Sequence, residues 1–260
     1  MAKQILFFGN CQVQVLSSWF GFDNGDWNVQ FESVTSRFLQ PTMTTEEVFD
    51  ALSGFDVLVT NPIMNERNGF YHLHLKESMK GDTIFVPYVY VDGLFSLEIS
   101  YETWGEKIFG SDCLSGQDVD RDFATICELF RRGEIDFNNC ARFERTLAEM
   151  ATRELYCNVH VADIIRGVVR DRLPISTHNH PSGFILDEML RQICQIAEGS
   201  FVPIESRNSK QLSCAALPPS PRAFTPFDVA VLGLKYSHDD DWFEKGRHIL
   251  QRFWDQRFQN

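Results

Sequence analysis

A chain of 260 residues, 43% hydrophobic and 23% charged, holds enough apolar side chains to close a core without disulfides or metals, which excludes wholesale disorder. Its formal net charge of -12 argues against a general nucleic-acid binder, so any anionic ligand must be met by local donors. The opening MAKQILFFGN carries neither a secretory apolar region nor a membrane-spanning run, and the seven cysteines are scattered without a C-x-x-C pair, so a cytoplasmic protein with reduced thiols and no structural zinc is expected.

KQILFFGN reads as a short buried strand, and VQVLSSWF places Val13, Leu16 and Trp19 or Phe20 at helical spacing. WNVQFESV predicts a second strand, TTEEVFDAL a helix capped near Thr44 or Thr45, and FDVLVTNPI a further compact strand. YHLHL alternates, which sets His72 and His74 on one face of a strand or extended segment. DTIFVPYVYVDGLF supplies another strand, ended by Asp92-Gly93. After a polar stretch containing GSDCLSGQDVD, RDFATICELFRRG predicts a helix that stops at Gly133.

The stretch from Asn138 to Asp171 has helical periodicity over one or two helices. LPISTHNHPSGFILDEMLRQICQIAEG then repeats the opening pattern of short strand, polar turn and amphipathic helix. A proline-rich linker precedes a terminal amphipathic helix, DDDWFEKGRHILQRFWDQRF. These readings predict an α/β fold, a mostly parallel sheet flanked by helices, with residues 1–200 as the catalytic domain, 201–222 as a linker and 223–260 as an extension. The extension's aromatic residues Trp242, Phe243, Phe253, Trp254 and Phe258 suit docking on the core or a homo-oligomer contact.

Ligands of a parallel sheet gather beyond the carboxyl ends of its strands, where helix starts offer free N–H groups. Four polar motifs are expected there: GNCQ at 9–12, TNP at 60–62, VDG at 91–93 and THNHP at 177–181. Gly9 permits a sharp turn, and thiols at helix starts ionise more readily, so Cys11 is a candidate nucleophile; as a bland alternative it is a packing residue with Asn10 as the helix cap. His180, fixed by the proline after it, is the candidate base; the alternative is a turn-forming cluster. Asn61 offers an amide to a developing oxyanion or simply an Asn-Pro turn. His178 and His180 have the H-x-H spacing of zinc ligands without a third ligand at a matching spacing, so no metal is expected.

Taken in order, GNCQ, DVLVTNPI, VPYVYVDGLF, RFERTLAEMATRE and RLPISTHNHPSGFILDEMLRQI resemble the WcbI family of capsular polysaccharide biosynthesis proteins, over about residues 3–198. The resemblance implies a core like the SGNH hydrolases with helical additions, and a coenzyme A-binding acetyltransferase that uses acetyl-coenzyme A to acylate a sugar or a capsular or exopolysaccharide precursor. It sets Cys11 where a serine nucleophile would stand, Asn61 at the oxyanion amide and His180-Pro181 at the end of a D-x-x-H-P block whose aspartate is here Thr177. It further implies a cofactor site drawing on Gly9, Asn10, Gln12, Asp92, Gly93, His178 and Asn179. Arg145 and Arg153, together with Arg142 and Arg172, are candidates for the phosphates. An esterase of the same architecture and a non-catalytic ligand-binding protein of a biosynthetic assembly are the alternatives.

Overall fold

The computed structural model describes residues 2–33, 50, 52–64, 72–98, 122–208 and 222–258. In chain order the elements are β1 (Gln4–Gly9), α1 (Cys11–Asp23), β2 (Asn28–Ser33), β3 (Val57–Thr60), α2 (His72–Ser78), β4 (Asp82–Phe85), β5 (Leu97–Glu98), α3 (Phe123–Arg132), α4 (Asn139–Glu154), α5 (Ala162–Val168), β6 (Ile175–Thr177), β7 (His180–Pro181), α6 (Gly183–Ala197), β8 (Arg222–Ala223), α7 (Pro226–Leu232) and α8 (Trp242–Phe258). The predicted helix at TTEEVFDAL and the polar stretch GSDCLSGQDVD fall largely or wholly outside the described residues.

By compactness the chain divides into Met1–Val89 with Glu149–Ile165 and His180–Leu217, and Tyr90–Ala148 with Arg166–Asn179 and Pro218–Asn260. This differs from the expected partition at residues 200 and 222. The terminal helix needs an apolar partner, and sequence-distant α3 supplies it.

The first unit contains a parallel sheet in the order β2-β1-β3-β4. Its central strand is apolar without interruption because both faces are covered. Phe7 packs on Phe20 of α1, with ring centroids 5.6 Å apart, while Leu6 and Phe8 enter a cluster with Leu58, Leu75, Met79 and Phe85. The YHLHL segment corrects the strand expectation, since His72–Ser78 is helical: His72, Leu75 and Met79 share the buried face at spacings of three and four, and Leu73 and His74 face out. The strand expected from Asp82 to Asp92 is likewise shorter, because Pro87 has no N–H to give a ladder and pairing stops at Phe85.

In the second unit, Leu97, Ile126, Leu129, Phe130, Ile249 and Leu250 form the core, with Trp242, Phe243 and Trp254 packed against it. These three aromatic residues of the C-terminal segment therefore dock on their own unit. α3 ends at Gly133, as the sequence predicts. Strands β5 and β8 pair antiparallel, Leu97 opposite Ala223.

Candidate functional site

Each residue of GNCQ does something different. Gly9 closes β1, and a Cβ there would lie 2.5 Å from Val13 Cγ2, so the close approach of α1 to the strand end requires glycine. Asn10 is the N-cap: its Oδ1 accepts from the N–H groups of Gln12 at 3.0 Å and Val13 at 3.3 Å. Gln12 is wholly buried and reaches the chain beyond β4, where its Nε2 donates to Val89 O at 2.9 Å and its Oε1 accepts from Val89 N at 3.0 Å. Cys11, the first helical residue, is the exposed member of the four. With Asn10 O accepting from Gln14 N, three of the first four helix N–H groups are taken, and the N–H of Cys11 has no partner among the described residues.

Asn61 follows the last residue of β3, whose Thr60 is level with Phe8 of β1, so Asn61 and the GNCQ turn lie at the carboxyl ends of adjacent strands. Its Nδ2 donates one hydrogen to Val86 O at 3.0 Å, and the side chain is half-buried. His180 is half-buried in β7 and leads through Pro181 and Ser182 into α6, a helix that packs on α1 and β4 of the same unit. Unlike Asn10, Ser182 makes no side-chain cap bond. Arg153, in the last turn of α4, is half-buried; its Nε donates to Glu149 O at 3.3 Å, and its terminal nitrogens have no partner among the described residues.

The remaining predicted residues belong to the second unit. Asp92 is buried in an ion pair with Arg142, which donates from Nε to Asp92 Oδ2 at 3.0 Å and from Nη2 to Oδ1, and from Nη1 to Phe137 O at 3.2 Å. Both groups are thereby engaged with the protein itself. Gly93, at φ +88°, lies so close to α4 that a Cβ would collide with Asn139 O and Phe143 N. His178 accepts at its carbonyl from Val91 N at 2.7 Å and sets its ring edge-on to Tyr90 at 5.3 Å. Thr177 Oγ1 donates to Asn179 Oδ1 at 3.2 Å, while Arg145 and Arg172 are exposed.

Sequence reading missed one buried cluster in each unit. Asp228 of the second unit accepts from Ser96 N at 2.9 Å, Ser96 Oγ at 2.5 Å and Asn139 Nδ2 at 2.6 Å, and burial pushes its carboxyl above the ordinary range despite these bonds. In the first unit Arg207 clamps Asp23 with two bonds of 2.8 and 2.9 Å and lies over the Trp19 ring. The TPFD capping box at Thr225–Asp228 is a local signal for the former; nothing local announces the latter.

Among the cysteines, burial pushes the thiols of Cys157 and Cys194 up to about 12, and that of Cys127 up. Among the described residues no group of three or more His, Cys, Asp or Glu side chains is gathered that could hold a metal, and no helix is long and apolar enough to cross a membrane.

The family described as "Polysaccharide biosynthesis enzyme WcbI" matches residues 4–198. The fold is similar to a solved structure of WcbI, described as a novel polysaccharide biosynthesis enzyme and determined as native protein without a disulfide bond between coenzyme A and one of its cysteines. The TM-score is 0.63 at 16% identity, over 100% of this chain and 96% of that one. No curated protein matches the chain.

Proposed function

This chain belongs to the WcbI family of polysaccharide biosynthesis enzymes, and we propose that it is an acyl-coenzyme A-dependent O-acyltransferase, acetyl-coenzyme A being the donor and a sugar hydroxyl of a polysaccharide precursor the acceptor. The observation that carries this reading is the exposure of Cys11 at the open start of α1, on the carboxyl edge of a parallel sheet, while Gly9, Asn10 and Gln12 around it are held by structural duties. A turn that only needed to end a strand would not require an outward thiol. The naming of coenzyme A together with a cysteine in the WcbI structure of the same fold supports the donor assignment.

Coenzyme A supplies the acyl group as a thioester. In this reading the sulfur of Cys11 attacks the thioester carbonyl, the carbon–sulfur bond to the donor breaks, and the acyl group rests on Cys11 until an acceptor hydroxyl displaces it. His180 takes the proton of that hydroxyl and returns one to the departing sulfur. The N–H of Cys11 and the second Nδ2 hydrogen of Asn61 are the donors for the negative charge that develops on the carbonyl oxygen. Arg153 is the cation proposed for the donor's phosphates.

Titration with coenzyme A, followed by mass spectrometry of the protein after exposure to acetyl-coenzyme A, tests the reading. Saturable binding and one acetyl group on Cys11, absent in Cys11→Ala, is the expected result. Failure of wild-type protein to bind coenzyme A would sink it.

A further inference from the structure

Beyond α4 the chain exposes a ring beside a cation. The helix ends at Glu154, and Tyr156 N donates back to Arg153 O at 3.1 Å, so the two residues are one turn apart. Two residues later Asn158 is locked to the last residue of β4: its Oδ1 accepts from Phe85 N at 2.8 Å and its N–H donates to Phe85 O at 2.8 Å. Tyr156 is thereby tethered at the carboxyl edge that also carries Cys11 and Asn61.

Its ring is fixed rather than loose. It stands edge-on to buried His72, with centroids 5.4 Å apart and planes at 70°. His72 in turn is held to the loop after Asn61, its N–H donating to Ile63 O at 3.0 Å and its Nδ1 lying 3.2 Å from the same oxygen. Yet 47% of Tyr156 remains exposed, as do 46% of Leu73 and 45% of Met64, the residues that follow His72 and Ile63 in the chain. A large ring oriented from behind and open in front is a stacking surface. The partly sheltered guanidinium of Arg153 next to it adds a site for an anion, which a chain of net charge -12 must provide locally.

Resting on the acyl-coenzyme A reading above, we propose that Tyr156 and Arg153 form the nucleotide end of the coenzyme A site, the ring stacking on adenine and the guanidinium holding a phosphate. The ligand is then recognised as an anionic nucleotide at one end and delivers its thioester at the other.

Calorimetric titration of the full chain with coenzyme A, adenosine 3′,5′-bisphosphate and pantetheine separates the parts. Tyr156→Ala and Arg153→Gln are each expected to weaken coenzyme A by about tenfold and to weaken the bisphosphate equally, with pantetheine binding unchanged and Tyr156→Phe close to wild type. Unchanged coenzyme A affinity in both variants overturns the assignment while leaving the acyltransferase reading intact, as does an equal loss of pantetheine. Variants that keep coenzyme A but lose the acceptor sugar overturn it too, placing the sugar on the ring. Absence of coenzyme A binding in the wild type removes the acyl-coenzyme A reading and this one together.

Discussion

Gln12 and Val89 exchange two hydrogen bonds, the side-chain amide of one imitating a strand neighbour for the backbone of the other. The pair is buried and spans 77 residues of chain. It fixes the segment beyond β4 against the first turn of α1, the same turn that carries Cys11. Gln12→Ala leaves a buried N–H and C=O without partners, and should cost about 3 kcal/mol in urea unfolding. A loss below about 0.5 kcal/mol would mean that water replaces the amide.

The ion pair of Asp92 with Arg142 is almost fully withdrawn from solvent, with 8% of each side chain exposed. Removing one partner strands the other, so Asp92→Ala and Arg142→Ala should each destabilise by about 3–5 kcal/mol, and the double variant by much less than their sum. Additive losses in a double-mutant cycle would show that the two charges do not depend on each other.

Iodoacetamide should separate the described thiols by environment. Cys11 and Cys140 are exposed, whereas burial pushes Cys157 and Cys194 up to about 12, where almost no thiolate exists at neutral pH. Peptide mapping should find Cys11 and Cys140 modified first, and prior addition of coenzyme A should shield Cys11. Early modification of Cys194 would contradict the burial of α6.

Asp228 gives a pH signature of unusual sign. Because burial raises its folded pKa, the folded state holds the proton more tightly than the unfolded chain, and stability falls as pH rises from the ordinary aspartate value near 3.9 through the raised one. Asp228→Asn removes that slope. The destabilisation caused by the variant should therefore shrink between about pH 4 and pH 7. A penalty that grows with pH over this range would show that Asp228 is held ionised by its donors.

Much of the first unit was legible because its signals are local. The uninterrupted apolar run before Gly9, the helical spacing of Val13, Leu16 and Phe20, and the repeated alternation of strand and helix led to the parallel sheet, and Asn61 could be set at a strand end. YHLHL was misleading, since two histidines alternate there while the burial that decides the element comes from His72, Leu75 and Met79. The roles of Gln12, Asp92 and Arg142 were invisible for a different reason. Each depends on a partner 50 or more residues away, and no period in the sequence records such a pairing. A polar residue at a strand end looks the same whether it awaits a ligand or props up a distant loop.

The clamp of Arg207 on Asp23 bears on where the family's unit of folding ends. The family match stops at residue 198, but both side chains of the clamp are inaccessible to solvent, and Val202 O and Val202 N are bound to the same two residues. A protein cut after residue 198 would keep every motif by which the family is recognised and would bury an aspartate facing nothing. The stretch of sequence that evolution marks and the stretch that can stand by itself differ by ten residues, and an excised domain should melt cooperatively only if it runs through residue 208.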